Sequence, residues 1–130
     1  DEQKNNLTIS RYINGSKIES KISEALNLLS IPYTTQYPLK GKLFDFRISN
    51  TNILIEVNGD YWHCNPNIYK KDDIINYPGI GKIIVNKIWE KDKIKKNKAE
   101  NLGFIVIYIW ESEIYNCNDI SELIFQKLFN

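Results

Sequence analysis

The chain has 130 residues, enough for one domain with a single core, and its 42% hydrophobic and 12% aromatic content excludes a disordered tail. A net charge of +1 is low for a protein whose whole affinity for nucleic acid comes from phosphate contacts. The polar start, Asp1 to Asn6, carries no secretory signal, and the longest apolar runs have strand length, which argues against a helical membrane span.

Residues 1–15 are polar, end at Asn14-Gly15, and read as a tail or linker ahead of a domain spanning 16–130. Ser16-Lys-Ile-Glu19 is a capping-box pattern. Ile18, Ile22, Leu26 and Leu29 follow at helical spacing, so the pattern predicts an amphipathic helix over 17–29, closed off by Pro32. Thr34–Tyr37 is β-prone, with Pro38 and Gly41 as breakers. Leu43–Ile48 alternates, setting Phe44, Phe46 and Ile48 on one face and Leu43, Asp45 and Arg47 on the other. Ser49-Asn-Thr-Asn52 is a turn signal, and Ile53–Val57 is the returning strand. Residues 60–81 read as a long irregular aromatic segment, the kind of loop that is usually functional or mobile. A helix is expected from Lys82 to Leu102, ended by Gly103. Phe104–Trp110 is nearly all apolar, the pattern of a central buried strand, and 119–128 repeats at helical spacing with Ile120, Leu123, Ile124 and Leu128 on one face. The order is helix, three strands, helix, strand, helix: an α/β sandwich with a mixed sheet. Cys64 and Cys117 read as free thiols of a reducing, intracellular compartment, and with the single histidine they do not have the spacing of a zinc site.

The hairpin carries the first chemical signal. If it turns at Asn50-Thr51, Asp45 lies opposite Glu56, and Glu56 interrupts the apolar run Ile53-Leu-Ile-Glu-Val57. Two like charges so placed repel each other. Either the strand is an edge whose polar face meets water, or a divalent cation such as Mg²⁺ relieves the conflict. His63 is the only histidine and follows the Glu56 strand closely, where an imidazole can act as general base. Asp92 falls on the apolar stripe of the long helix with Ile84, Ile88, Ala99 and Leu102, and so does Lys95. A carboxylate there needs a partner. Two stand open: His63, whose ring Asp92 would orient, or Lys95 in an i,i+3 ion pair. On local grounds Glu19 is the capping-box acid. Seven lysines and two acids lie between Lys82 and Lys98, either a solvated helix face or a phosphate-facing surface.

Taken in this order the residues resemble the very short patch repair endonucleases and the related homing endonucleases of EDxHD type, both of the restriction-endonuclease-like PD-(D/E)XK fold. The resemblance runs from about Ser16 to Glu111. It rests on Glu19, Phe44-Asp45-Phe46, Leu54-Ile-Glu-Val-Asn-Gly-Asp-Tyr-Trp-His63, Trp89-Glu-Lys-Asp92 and Gly103-Phe-Ile-Val-Ile-Tyr-Ile-Trp-Glu111. It implies an α/β sandwich with a mixed central sheet flanked by helices, acting as a magnesium-dependent DNA endonuclease on double-stranded DNA. It further implies Asp45 as ligand to one or two Mg²⁺ ions with the backbone carbonyl of Val57, while Glu56 is expected at the same metal site from its place opposite Asp45 in the hairpin. His63 would be the general base, assisted by Asp92, and Glu19 would hold water at the ion. Tyr61 and Trp62 would approach the base stack, and Lys93 and Lys96 would meet the DNA backbone.

Two positions depart from the repair enzymes. Asp60 and Ser112 stand where those enzymes have cysteines of a structural zinc site, so no zinc is expected and the loop 64–81 must be held in another way. Glu56 replaces an apolar residue, which leans toward the homing branch, of mobile-element origin, or toward a plain nuclease. A mismatch-specific strand-nicking repair enzyme, a broad-specificity or restriction-type nuclease, and a non-catalytic DNA-binding module of the same fold remain the alternatives. The low net charge suggests that target recognition lies partly in a further DNA-binding domain or a second copy of the chain.

Overall fold

The computed structural model describes residues 17–129. The expected tail 1–15 and the Ser16 end of the capping box lie outside them. Helix α1 covers 17–28. Strands β1 (Tyr33–Leu39), β2 (Lys42–Ile48) and β3 (Ile53–Asn58) follow, then a small hairpin, β4 (Ile74–Tyr77) and β5 (Gly81–Ile84). Helix α2 (Val85–Asn101), strand β6 (Ile105–Trp110) and helices α3 (Glu111–Asn116) and α4 (Ile120–Phe129) complete the chain.

The four-stranded sheet has the order β1-β2-β3-β6, with β1, β2 and β3 antiparallel and β6 parallel to β3. It is the mixed sheet expected. One face packs on α1 and α4: Ile22, Leu26 and Ile124 close over Phe46, Ile55 and Ile109. The other face receives α2, where Ala99 meets Phe44, Leu54 and Val106. The apolar positions expected for α4 all join the first of these cores. Among the described residues, no helix is long and apolar enough to cross a membrane.

Four features differ from what the sequence predicts. The all-apolar β6 is not central but lies at one edge of the sheet among the described strands, with β2 and β3 inside. Its composition reflects helix cover on both faces, which a parallel strand receives wherever it sits in the order. Pro38 does not end β1 but sits within it, opposite Leu43, because an edge strand can spare an amide. Segment 60–81 is not wholly irregular, since it holds β4 and leads into β5, which takes Lys82, Ile83 and Ile84 out of the expected helix. The helix therefore starts at Val85. No polar side chain caps it; instead the amides of Val85 and Asn86 donate to the carbonyls of Asp73 and Lys71 at 2.9 and 3.0 Å. That cap is supplied by a distant loop and leaves no local signal. The short α3 is likewise absent from the sequence pattern.

The end of α2 is as the sequence suggests. Gly103 has φ +91°, its amide donates to Glu100, and the amide of Phe104 donates to Ala99. This is the paired closure that a left-handed residue permits at a helix C-terminus.

Beneath the loop lies a third, small core of Cys64, Tyr77 and Val85, with Trp62 and Trp89 against it. The Trp89 indole donates to the carbonyl of Cys64 at 2.7 Å, tying the loop to α2. Asp60 and Ser112 are hydrogen-bonded to each other at 3.2 Å, and the Asn65 amide donates to both, at 2.9 and 3.2 Å. Buried Asn65 thus fastens the start of the loop to α3.

Candidate active site

The hairpin register brings the acids together. Phe46 pairs with Ile55 and Arg47 with Leu54, which carries Asp45 opposite Glu56. Here the backbone ladder gives way to side-chain bonds. The amide of Asp45 donates to Glu56 Oε1 at 2.9 Å, and the amide of Val57 donates to Asp45 Oδ2 at 2.8 Å. Each acid caps the other's strand. The crossing coincides with a break in alternation: Phe46 and Ile48 pack beneath α1, but Phe44 packs beneath α2. The expectation that all three share a face therefore fails at Phe44. Gln36, which falls opposite Asp45 in the β1–β2 register, has φ +51°, a strained value for a residue with a Cβ. The local rotation frees Asp45 to reach Glu19 on α1.

Glu19 and Asp45 line the same cleft, near enough for each carboxyl to bear on the other's ionisation. The capping partner Ser16 lies outside the described residues, and within them Glu19 faces the acids of the hairpin. Burial is the main reason the Asp45 carboxyl is pushed up to about 6, against the Val57 amide that lowers it, and the charge of Glu19 raises it further. Glu19 and Glu56 are raised too, first by burial; the charge of Asp45 adds to the rise of Glu56, and that of Glu56 to the rise of Glu19. Three carboxyls in one place resist ionisation together.

Lys95 is the counterweight, a site residue that the motifs of the sequence do not mark. Its ammonium donates to Glu56 Oε2 and to the carbonyl of Leu43, both at 2.7 Å, and lies 4.6 Å from the centre of the Phe44 ring. The Asp92–Lys95 pairing that spacing allows gives way to two longer-range pairs. Lys95 takes Glu56, and Asp92 Oδ2 accepts from His63 Nδ1 at 2.9 Å. Their period places both on the inner stripe of α2, and that placement is the signal that could have found Lys95.

A cleft of about 470 Å³ gathers these groups. Glu19, Asp45, Glu56, Val57 and His63 line it, with Tyr61, Trp62, Lys95 and Glu111. Tyr61, Trp62 and Tyr77 pack on one another with ring centres 5.0–5.2 Å apart, Trp62 stacked on Tyr77. Lys93 and Lys96 are not in this cleft but line a hollow on the neighbouring face of α2, where Lys96 lies over Tyr108 and pairs with Glu100.

The donors suit a hard dication in part. Among the described residues, no three His, Cys, Asp or Glu side chains converge to hold a metal by themselves. Both oxygens of Glu56 already have partners. Asp45 and Glu19 remain, two crowded carboxyls at a cleft wall, beside the backbone of Val57. Magnesium retains water and is commonly held by one or two carboxylates together with its substrate's phosphate, so a complete protein cage is not required.

No family model and no curated protein matches the chain. Among solved structures it is similar to the catalytic domain of the homing endonuclease I-Bth0305I, with a TM-score of 0.55 and 22% identity over 83% of this chain and 89% of that one. At that identity the likeness speaks for the fold: a mixed sheet between helical layers, arranged as in a homing endonuclease catalytic domain.

Proposed function

We propose that this chain is the catalytic domain of a magnesium-dependent DNA endonuclease, of the homing type with the Glu–Asp–His–Asp constellation of the EDxHD branch and the PD-(D/E)XK core. One observation carries the reading. An imidazole oriented by a carboxylate, His63 on Asp92, opens onto the same cleft as the crowded acids Glu19, Asp45 and Glu56. Water activation beside a charged phosphodiester requires those two elements side by side.

Asp45 and the Val57 carbonyl are the groups that would hold magnesium directly. Glu56 acts one step behind, fixing the Asp45 amide and balanced by Lys95. Bound there, the ion would supply Lewis-acid polarisation of the phosphate and offset its charge. His63 keeps its Nδ1–H on Asp92, which leaves Nε2 free to accept a proton from the attacking water. Asp92 then balances the imidazolium. Glu19, facing the cleft from α1, would hold water at the ion. Tyr61 and Trp62 at the cleft mouth meet the substrate, and Lys93 and Lys96 contact its backbone on the adjoining face.

The test is a plasmid-cleavage assay with and without Mg²⁺, run beside His63→Ala. The reading expects cleavage by the wild type with magnesium alone and a loss of about 10²–10⁴-fold in the variant, the usual share of a general base. Duplex binding without cleavage at any magnesium concentration would leave only a DNA-binding module of this fold.

A further inference from the structure

A second groove, of about 520 Å³, adjoins the active-site cleft, and Trp62, His63 and Lys95 line both. Its rim is basic: Lys42 from β2 on one side, Lys87 and Lys91 one helical turn apart on α2 on the other. These three are exposed and have no ion-pair partner among the described residues. Among the described residues Asp92 is the one acid on the lining, and His63 engages it. The inner wall is apolar, formed by Ile80, Ile83 and Ile88 over the buried Tyr77.

We infer that this groove carries the phosphodiester backbone of the DNA strand as it leaves the active site, with phosphates on Lys42, Lys87 and Lys91 and deoxyribose against the isoleucine wall. The inference rests on the endonuclease reading and names the path of its substrate. Three unpaired ammonium groups around a concave, low-dielectric wall concentrate positive potential, which a polyanion neutralises. Continuity through His63 gives the strand one line from the reacting phosphate to the groove. An isolated solvated lysine face would have neither the apolar floor nor a basic residue from a second element opposite it. The +1 net charge of the chain is consistent with a basic surface confined to such a track.

The test is equilibrium binding of a fluorescent duplex, with Ca²⁺ in place of Mg²⁺ to suppress cleavage, across a salt series. The Lys87→Gln/Lys91→Gln variant should bind about tenfold or more weakly and lower the slope of log K against log salt by about two, close to one unit for each phosphate no longer neutralised. Lys42→Gln, across the groove on another element, should lower it by about one more. Unchanged affinity and slope in these variants, or a wild type that does not bind duplex, would overturn the inference. A wild type that binds with the expected lysine dependence but never cuts with magnesium would leave the groove assigned and remove only the nuclease reading.

Discussion

Asp45 meets Glu19 and Glu56 in a half-buried corner, and the consequence is a pH dependence with a definite sign. Its carboxyl is raised from 3.8 to about 6, so the fold favours the protonated form. That contribution is complete below the unfolded value and is lost as pH rises through about 6. Without metal, Asp45→Asn should therefore gain on the wild type between pH 4 and 7, by on the order of 1–3 kcal/mol, read from urea titrations across that range. A difference between the two proteins that stays flat with pH would mean that the acids do not strain one another. Lys95 bears on the same corner. Glu56 keeps only 10% of its side chain exposed and leans on an ammonium whose side chain is 25% exposed. Lys95→Ala should cost about 2–3 kcal/mol at neutral pH by stranding that carboxylate, and Glu56→Gln/Lys95→Met should recover most of it. A double variant as unstable as the single one would show that the packing of Lys95 on Phe44 matters more than its charge.

Helix α2 sets the position of the His63 imidazole, because it carries Asp92 and also anchors the loop through Trp89. Trp89→Phe retains most of the ring's packing and removes one hydrogen bond, worth about 1 kcal/mol. Its expected signature is uneven: a small loss of Tm, with a larger fall in kcat than in substrate affinity, as His63 loses its fixed place. Equal small effects on all three would make the indole a stability element only. At the other end of α2, Gly103→Ala forces a Cβ into φ +91° and should cost about 1 kcal/mol. Nothing lies within 4 Å of the added atom, so the cost is conformational and should leave cleavage unchanged at temperatures where the variant is folded.

For the molecule as a whole, magnesium and folding should be linked. An ion that binds only the folded acid corner raises stability by RT ln(1 + [Mg²⁺]/Kd), about 1.4 kcal/mol at ten times Kd. The gain should be larger at pH 7.5 than at pH 5, because below about 6 the ion must displace a proton from Asp45. Calorimetric scans with and without magnesium at both pH values measure this. A Tm that ignores magnesium at pH 7.5, or an equal rise in Asp45→Asn, would remove the ion from this corner.

Much of this architecture is legible along the chain, because it depends on local period. The β-prone segment 43–48 and the apolar run 53–57, joined by the Asn50-Thr51 turn, predict the hairpin register, and the register alone brings Asp45 to Glu56. The 3.6-residue stripe of α2 puts Asp92 and Lys95 on its inner side, and Gly103 marks the helix end. What period cannot decide is which partner each inward group takes, since an inward direction is a local property and a contact is not. Only the packed structure separates Asp92 with His63 from Lys95 with Glu56, and only the rotation between Phe44 and Phe46 lets Asp45 turn to Glu19. The start of α2 and the place of β6 escape for the same reason. A cap supplied by the carbonyls of Lys71 and Asp73, and a strand covered on both faces by helices, are set by segments remote in sequence.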